Sequence, residues 1–185
     1  MEHIVFIDRD GVINMDSPDY IKSRSEFEFI PRSPEAIALL TQKGFDVIVI
    51  TNQSVIGRKM ITQETLDAIF QKMKVGVKKA GGKIKDIFFC PHTPRENCSC
   101  RKPNPGLILD AQKKYQISLD QSCLVGDSAK DIECALNAGC AKTVLVKTGN
   151  GPKAQQELSC KGISPDYIAL DLYEAACWII ENVKP

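Results

Sequence analysis

Short runs of apolar and β-branched residues alternate along this chain with longer segments in which apolar residues return every three or four positions. The short runs are IVFID (4–8), FDVIVIT (45–51), KDIFFC (85–90), SCLVGD (122–127) and TVLVKTG (143–149), with DYIAL (166–170) a weaker sixth. Near-continuous apolarity over so few residues predicts strands buried on both faces. The longer segments read as helices. They are PEAIALLTQKG (34–44), stopped by Gly44, and a long one over 62–82 that Thr62 caps and Gly81-Gly82 ends. PGLILDAQKKY (105–115), SAKDIECALNAG (128–139) and LYEAACWIIENV (172–183) follow.

Alternation of this kind predicts a parallel sheet covered by helices on both faces. Such sheets bind ligands beyond the carboxyl ends of their strands. Four strand ends carry chemically capable residues: Asp8 and Asp10; Thr51 and Asn52; Cys90 with the loop behind it; and Asp127. No repeat or linker divides the chain, so residues 1–185 are expected to form one domain.

Charge narrows the partners. Lys and Arg number 24 against 23 Asp and Glu, a net charge of +1, so no chain-wide field attracts nucleic acid or an anionic membrane. Any anion site must be local. The start, MEHIVFIDRDG, has neither the basic stretch nor the apolar run of a signal peptide, and a cytoplasmic protein is expected. The eight cysteines then read as metal ligands plus free thiols rather than a disulfide framework. Cys123, Cys134, Cys140 and Cys177 fall in apolar or helical contexts and are expected to be small buried hydrophobes, with Cys160 an exposed thiol.

Residues two apart in an extended chain point the same way, so Asp8 and Asp10 can face one ligand. Asp127, in GDSAKD (126–131), is placed to join them, although by itself it reads equally as a helix cap. Carboxylates gathered at one sheet edge repel each other without a cation among them, and oxygen-only ligands suit Mg²⁺. Asp131 is expected to brace this site rather than bind the metal. TNQS (51–54) offers a hydroxyl, amides and backbone N–H groups to a phosphoryl oxygen. Lys102, ahead of Pro103, supplies the positive charge that phosphoryl transfer needs.

CPHTPRENCSCRKP (90–103) holds three thiols and an imidazole, Cys90, His92, Cys98 and Cys100. A Cys₃His set is a closed tetrahedral zinc site with no position left for substrate, so this zinc is structural. The loop is long and polar and cannot pack a core of its own. Zinc would fix it, and with it Arg101 and Lys102 over the strand ends.

FIDRDGVIN, TNQS, RKP and GDSAKD, in this order on these strands, resemble the four motifs of the haloacid dehalogenase superfamily of phosphatases. YIKSRSEFEFIP, CPH…CSCRKPNPGL and LVKTGNG narrow the resemblance to its heptose bisphosphate phosphatases, from about residue 4 to about residue 151. The resemblance implies an α/β three-layer sandwich around a parallel Rossmann-like sheet, capless, with a zinc-binding loop. It implies a hydrolase that takes the C7 phosphate from D-glycero-D-manno-heptose 1,7-bisphosphate through an aspartyl phosphate, in making a lipopolysaccharide core precursor. Asp8 would be the nucleophile and Asp10 the acid, then the base. Mg²⁺ would be held by Asp8, the Asp10 carbonyl and Asp127, with Ser128 a further candidate. Thr51 and Lys102 would hold the phosphoryl oxygens. Asn14, Asp16, Tyr20, Asn52, Gln53, Ser54 and Arg101 would contact substrate. A monomer acting on a small phosphorylated sugar, with no nucleic-acid or membrane partner, is expected.

Three positions depart from the family pattern: Arg32, Val55 and Lys59 stand where it usually has Gly. The histidinol-phosphate phosphatases share the short zinc loop and are the nearest alternative. Two others are a capless polynucleotide phosphatase and a zinc-stabilised binding module without activity; the second has no use for three carboxylates on separate strand ends beside a fixed Lys.

Overall fold

The computed structural model describes residues 3–183. Six strands, β1 (His3–Ile7), β2 (Phe45–Asn52), β3 (Ile84–Cys90), β4 (Cys123–Gly126), β5 (Lys142–Val146) and β6 (Tyr167–Ala169), form one sheet in the order β3-β2-β1-β4-β5-β6. Every neighbouring pair is parallel. The helices are α1 (Ser33–Gln42), α2 (Ser54–Gly57), α3 (Gln63–Lys79), α4 (Gly106–Tyr115), α5 (Ala129–Ala138), α6 (Gly151–Cys160) and α7 (Leu172–Asn182).

The period of two along each strand sorts the core into layers. Val5 and Ile7 of β1, Val47 and Val49 of β2 and Val144 and Val146 of β5 face α1, α3 and α7. Ile4 and Phe6, Ile48 and Ile50 face the opposite side, against α4 and the Cys134–Ala135 stretch of α5. Leu145 packs with Ile132 of α5 and Ala154 and Leu158 of α6. The result is the expected sandwich of two helical layers around a parallel sheet. Between β1 and β2 stand α1 and a 25-residue-scale flap, pinned by the bridges Asp10–Asn14 and Asn14–Phe29, and no cap domain. Cys123, Cys134 and Cys140 are buried, Cys177 half-buried and Cys160 exposed. No helix among the described residues is long and apolar enough to cross a membrane.

The elements differ from expectation in three respects. β5 ends at Val146, not at 149, because Lys147–Asn150 turn away, with Gly149 at φ 55°. The helix that follows, α6, has no counterpart in the hydropathy reading. Its buried residues are Gly151, Ala154 and Leu158, too thin a stripe to stand out in a polar sequence. The single turn α2 was likewise not expected, TNQS having read as a loop.

From β1 the chain winds outward through β2 and β3, then returns to lay β4 on the other side of β1. The order therefore reverses between β1 and β4, which is where sheets of this kind open a crevice. Asp8 follows one of these strands and Asp127 the other.

Candidate active site

Asp8 leaves β1 buried, and its Oδ1 accepts from the Arg9 backbone N–H at 2.7 Å and lies 2.8 Å from Lys102 Nζ. Lys102 is 3% exposed. Its ammonium also reaches Asp131 Oδ1 at 2.5 Å and donates to the Ile50 carbonyl at 3.1 Å. Asp127 stands opposite, its Oδ2 accepting from the Asn150 backbone N–H at 2.7 Å and from the Asn150 amide at 3.2 Å. Carboxylate oxygens of Asp8, Asp127 and Asp131 all lie within 4.8 Å of one another.

One buried ammonium among three carboxylates leaves an excess of negative charge. Burial pushes the Asp8 carboxyl well above its usual range; Lys102 opposes this, and Asp131 and Asp127 add to it. Burial, then Asp131, pushes Asp127 up to about 7. For Lys102, burial would lower the ammonium, but Asp131 and Asp8 outweigh it and raise it. A site that makes two carboxylates hold protons against burial and mutual repulsion fits a divalent oxygen-liganded cation, whose charge offsets both.

Asp131 braces, as the sequence suggests. Its Oδ2 accepts from the Ser128 backbone N–H at 3.0 Å and hydroxyl at 2.6 Å, closing a capping box on α5. Ser128, not Asp127, is thus the helix cap, and Asp127 is left to the cleft. Gly126 permits the closeness, because a Cβ there would run into the Asp131 side chain.

Asp10 sits in a nest of donors that the sequence gave little sign of. Arg9 grips it through Nε at 3.0 Å and through Nη2 at 2.6 and 2.8 Å, Asn14 donates at 2.9 Å and Gln53 at 2.9 Å. Burial would raise this carboxyl, but the guanidinium and the amides lower it. Arg9 is 1% exposed, a charged residue inside the fold whose only sequence signal was its place within D-R-D. Gln53 also donates to Thr51 Oγ1 at 2.9 Å, so that the Thr51 hydroxyl keeps its own proton for another acceptor.

The cleft over these groups encloses about 420 Å³. Of the residues expected to meet substrate, Asp16, Tyr20, Asn52 and Arg101 line it, as do Asp8, Asp10, Thr51, Lys102, Asp127 and Ser128. Asn14, Gln53 and Ser54 stand behind its wall, buried, the two amides turned to Asp10. Lys130, Asn150, Lys153 and Glu157 line the cleft and were not anticipated from sequence; the last three belong to α6 and the turn before it.

The cage donors converge. Cys100 Sγ is 3.2 Å from Cys90 Sγ, 3.5 Å from Cys98 Sγ and 3.3 Å from His92 Nδ1, and Cys90 Sγ is 3.5 Å from Cys98 Sγ and 3.6 Å from His92 Nδ1. A tetrahedron with Zn–S of about 2.3 Å has edges of roughly 3.7 Å, close to these separations. Burial, then Cys90 and Cys98, push Cys100 up to about 12, whereas at Cys98 burial is outweighed by hydrogen bonds with Cys100, Cys90 and the backbone, which bring it down to about 7. Thiols that compete in this way for one negative charge fit a cation that takes all of them as thiolates. Arg101 Nη1 donates to the His92 carbonyl at 3.1 Å. Lys102 has a different anchor. The Asn52 amide clamps its backbone, accepting from the N–H at 3.1 Å and donating to the carbonyl at 3.3 Å.

Comparison with known proteins places this arrangement in context. Residues 99–175 match the HAD-hydrolase-like family model. A D-glycero-beta-D-manno-heptose-1,7-bisphosphate 7-phosphatase of Neisseria meningitidis serogroup A is 46% identical over 150 residues, 81% of this chain and 80% of that one. The protein of the same name from Bordetella bronchiseptica is 44% identical, over 81% of this chain and 83% of that one. The solved structure of D,D-heptose 1,7-bisphosphate phosphatase from B. bronchiseptica, complexed with magnesium and phosphate, superposes with a TM-score of 0.91 at 39% identity, covering 98% of this chain and 99% of that one. The corresponding structure from Burkholderia thailandensis gives 0.75 at 32% identity, covering 98% and 100%.

Proposed function

The chain belongs to the D-glycero-β-D-manno-heptose-1,7-bisphosphate 7-phosphatase family of haloacid dehalogenase-like hydrolases, and from that premise we propose how its own residues remove the C7 phosphate of this sugar. It is a phosphatase whose carboxylate cluster fits the Mg²⁺ that its relative binds and whose Cys₃His cluster fits a structural Zn²⁺. The observation that carries the chemistry is Lys102, buried between Asp8 at 2.8 Å and Asp131 at 2.5 Å at the point where the strand order reverses. There it keeps a carboxylate oriented as a nucleophile and sets positive charge beside the phosphoryl group.

Asp8 Oδ2 attacks phosphorus, and the bond from phosphorus to the C7 oxygen breaks. That oxygen leaves with a proton from Asp10. Water then attacks the aspartyl phosphate, Asp10 takes the proton from this water, and the bond from Asp8 to phosphorus breaks to free phosphate. The Arg9 grip suits the second half, where Asp10 must be an anion; for the first half its carboxyl turns from Arg9 carrying a proton. Thr51 donates to a phosphoryl oxygen while Gln53 holds its hydroxyl in place. Asp8, the Asp10 carbonyl and Asp127 would hold the cation, which would supply positive charge beside the transferring group.

A bisphosphate brings a second phosphate, and Arg101, Lys130 and Lys153 supply the cleft with further positive charge for it. Asp16 and Tyr20 of the flap meet the sugar. Residues 1–185 act as one domain, a monomer in the cytoplasm, with neither nucleic acid nor membrane as partner. The relatives are named for the β anomer, and this anomer is the proposed substrate. The test compares kcat/KM for both heptose bisphosphate anomers and for histidinol phosphate in excess Mg²⁺. The β bisphosphate is expected to lead histidinol phosphate by about a hundredfold or more. A preference for histidinol phosphate would sink the assignment.

A further inference from the structure

Asn150 stands where the β5–α6 turn enters the helix, and its one amide nitrogen donates to two carboxylates at once. Asp127 Oδ2 and Asp16 Oδ2 each lie 3.2 Å from it. The first belongs to the carboxylate cluster, the second to the flap. Two like charges drawn to one place repel, and an amide that gives one proton to each makes their approach favourable. The surroundings tie the same three parts together. Thr148 donates its hydroxyl to the Gly11 carbonyl at 2.6 Å, and a Cβ on either Gly11 or Gly149 would collide with Asp127 Oδ2. Both glycines have positive φ, 78° and 55°.

The flap at this point is a thin wall. Asp16, Ser17, Pro18 and Asn150 line the catalytic cleft and also a second cavity of about 600 Å³ behind it. A wall with open space on both sides is held by its ties more than by packing.

We propose that Asn150 is a positioning residue that couples the flap to Asp127, so that a cation held by Asp127 orders residues 16–20 over the substrate, and an ordered flap tightens the grip on the cation. The proposal rests on the reading of Asp127 as a ligand of Mg²⁺. Such coupling is reciprocal. Without the amide, Asp127 keeps the Asn150 backbone N–H, so the cation site survives while the flap loses its link to it.

Two variants test this. Asn150→Ala removes the amide, which makes no cap bond to α6; Asn150→Ser keeps a polar residue at the helix start but is too short to reach Asp16, and so separates coupling from helix stability. Hydrogen exchange over residues 15–21 is followed with and without Mg²⁺, alongside calorimetric titration with Mg²⁺. In the parent, Mg²⁺ is expected to slow exchange of the flap about fivefold or more, and in both variants less than about twofold. The Mg²⁺ dissociation constant is expected to rise about fivefold, and KM for the sugar bisphosphate to rise more than kcat falls. Flap exchange that responds to Mg²⁺ equally in parent and variants, or not at all in the parent, overturns the proposal. The exchange assay needs no substrate. Failure of the parent to hydrolyse the sugar bisphosphate would therefore overturn the assigned reaction and leave the coupling to be decided by exchange.

Discussion

Arg32 and Lys59 show what the two missing family glycines were for. Their φ angles are 66° and 58°, in the left-handed region that glycine adopts freely and an L side chain adopts at a cost of about 1–2 kcal/mol. Val55, the third departure, is buried at the start of α2 and carries no such strain. Arg32 recovers part of its cost, since its guanidinium stacks 3.6 Å from the centre of the Tyr173 ring on α7. Nothing comparable holds Lys59 in place among its described contacts. Lys59→Gly is therefore expected to stabilise the protein by about 0.5–1 kcal/mol after the entropy of glycine in the unfolded chain is counted, and Arg32→Gly to change it by less than about 0.5 kcal/mol. Urea midpoints of the two variants check this, and a destabilised Lys59→Gly would refute the strain argument. Residue identity was legible in sequence where a motif names a chemistry, as with Asp8, Lys102 and the cage. It was not legible where a residue works through another. Arg9 and Gln53 act by holding Asp10 and Thr51, and their partners come from different strand ends or from an adjacent residue that hydropathy treats as a solvated charge.

The zinc loop read from sequence as a mount for both Arg101 and Lys102. The structure divides them. Arg101 is tied to the cage through the His92 carbonyl, whereas Lys102 is held by Asn52 at the end of β2, by the Ile50 carbonyl and by two carboxylates. Cys98→Ser should open the cage, release Arg101 and leave Lys102 largely in place. We expect KM for the bisphosphate to rise about tenfold or more and kcat to fall by less than about fivefold, at a temperature where circular dichroism finds the variant folded. Equal losses in kcat and KM would return Lys102 to the cage; no change in either would reduce the zinc to a staple of the loop. The elements themselves were legible wherever apolar residues were dense enough to set a period. α6 escaped because its buried stripe is Gly151, Ala154 and Leu158, and because Val146 to Gly149 looks like more strand until Gly149 turns it. The cleft residues that sequence reasoning missed, Asn150, Lys153 and Glu157, lie in and just before that helix, so one unseen element accounts for most of them.

For the molecule as a whole, the crowded carboxylates make the cation a part of the fold's stability. Asp127 holds its proton up to about 7, above its ordinary 3.8. A carboxyl raised on folding contributes stability that is full below 3.8 and lost as pH rises through about 7. The metal-free protein should thus melt at a lower temperature at pH 8 than at pH 6. Mg²⁺ must displace that proton, so its affinity should fall roughly tenfold per pH unit below 7, and the rise in Tm that it causes should grow from pH 6 to pH 8. At about one hundred times its dissociation constant it adds about 2.7 kcal/mol. Differential scanning at the two pH values, with EDTA and with Mg²⁺, decides this, and a Mg²⁺ effect larger at pH 6 would contradict it. The strand order has a consequence for how the protein is made. β1 leaves the ribosome before both of its partners, β2, which follows soon, and β4, which begins only at Cys123. At roughly 5–20 residues per second, one backbone edge of β1, bearing Val5, Phe6 and Ile7, waits several seconds for its neighbour. Through that interval the centre of the future sheet is an open edge. The nascent chain is then most exposed to pairing with other chains, and most in need of a chaperone, at the strand that will carry the nucleophile.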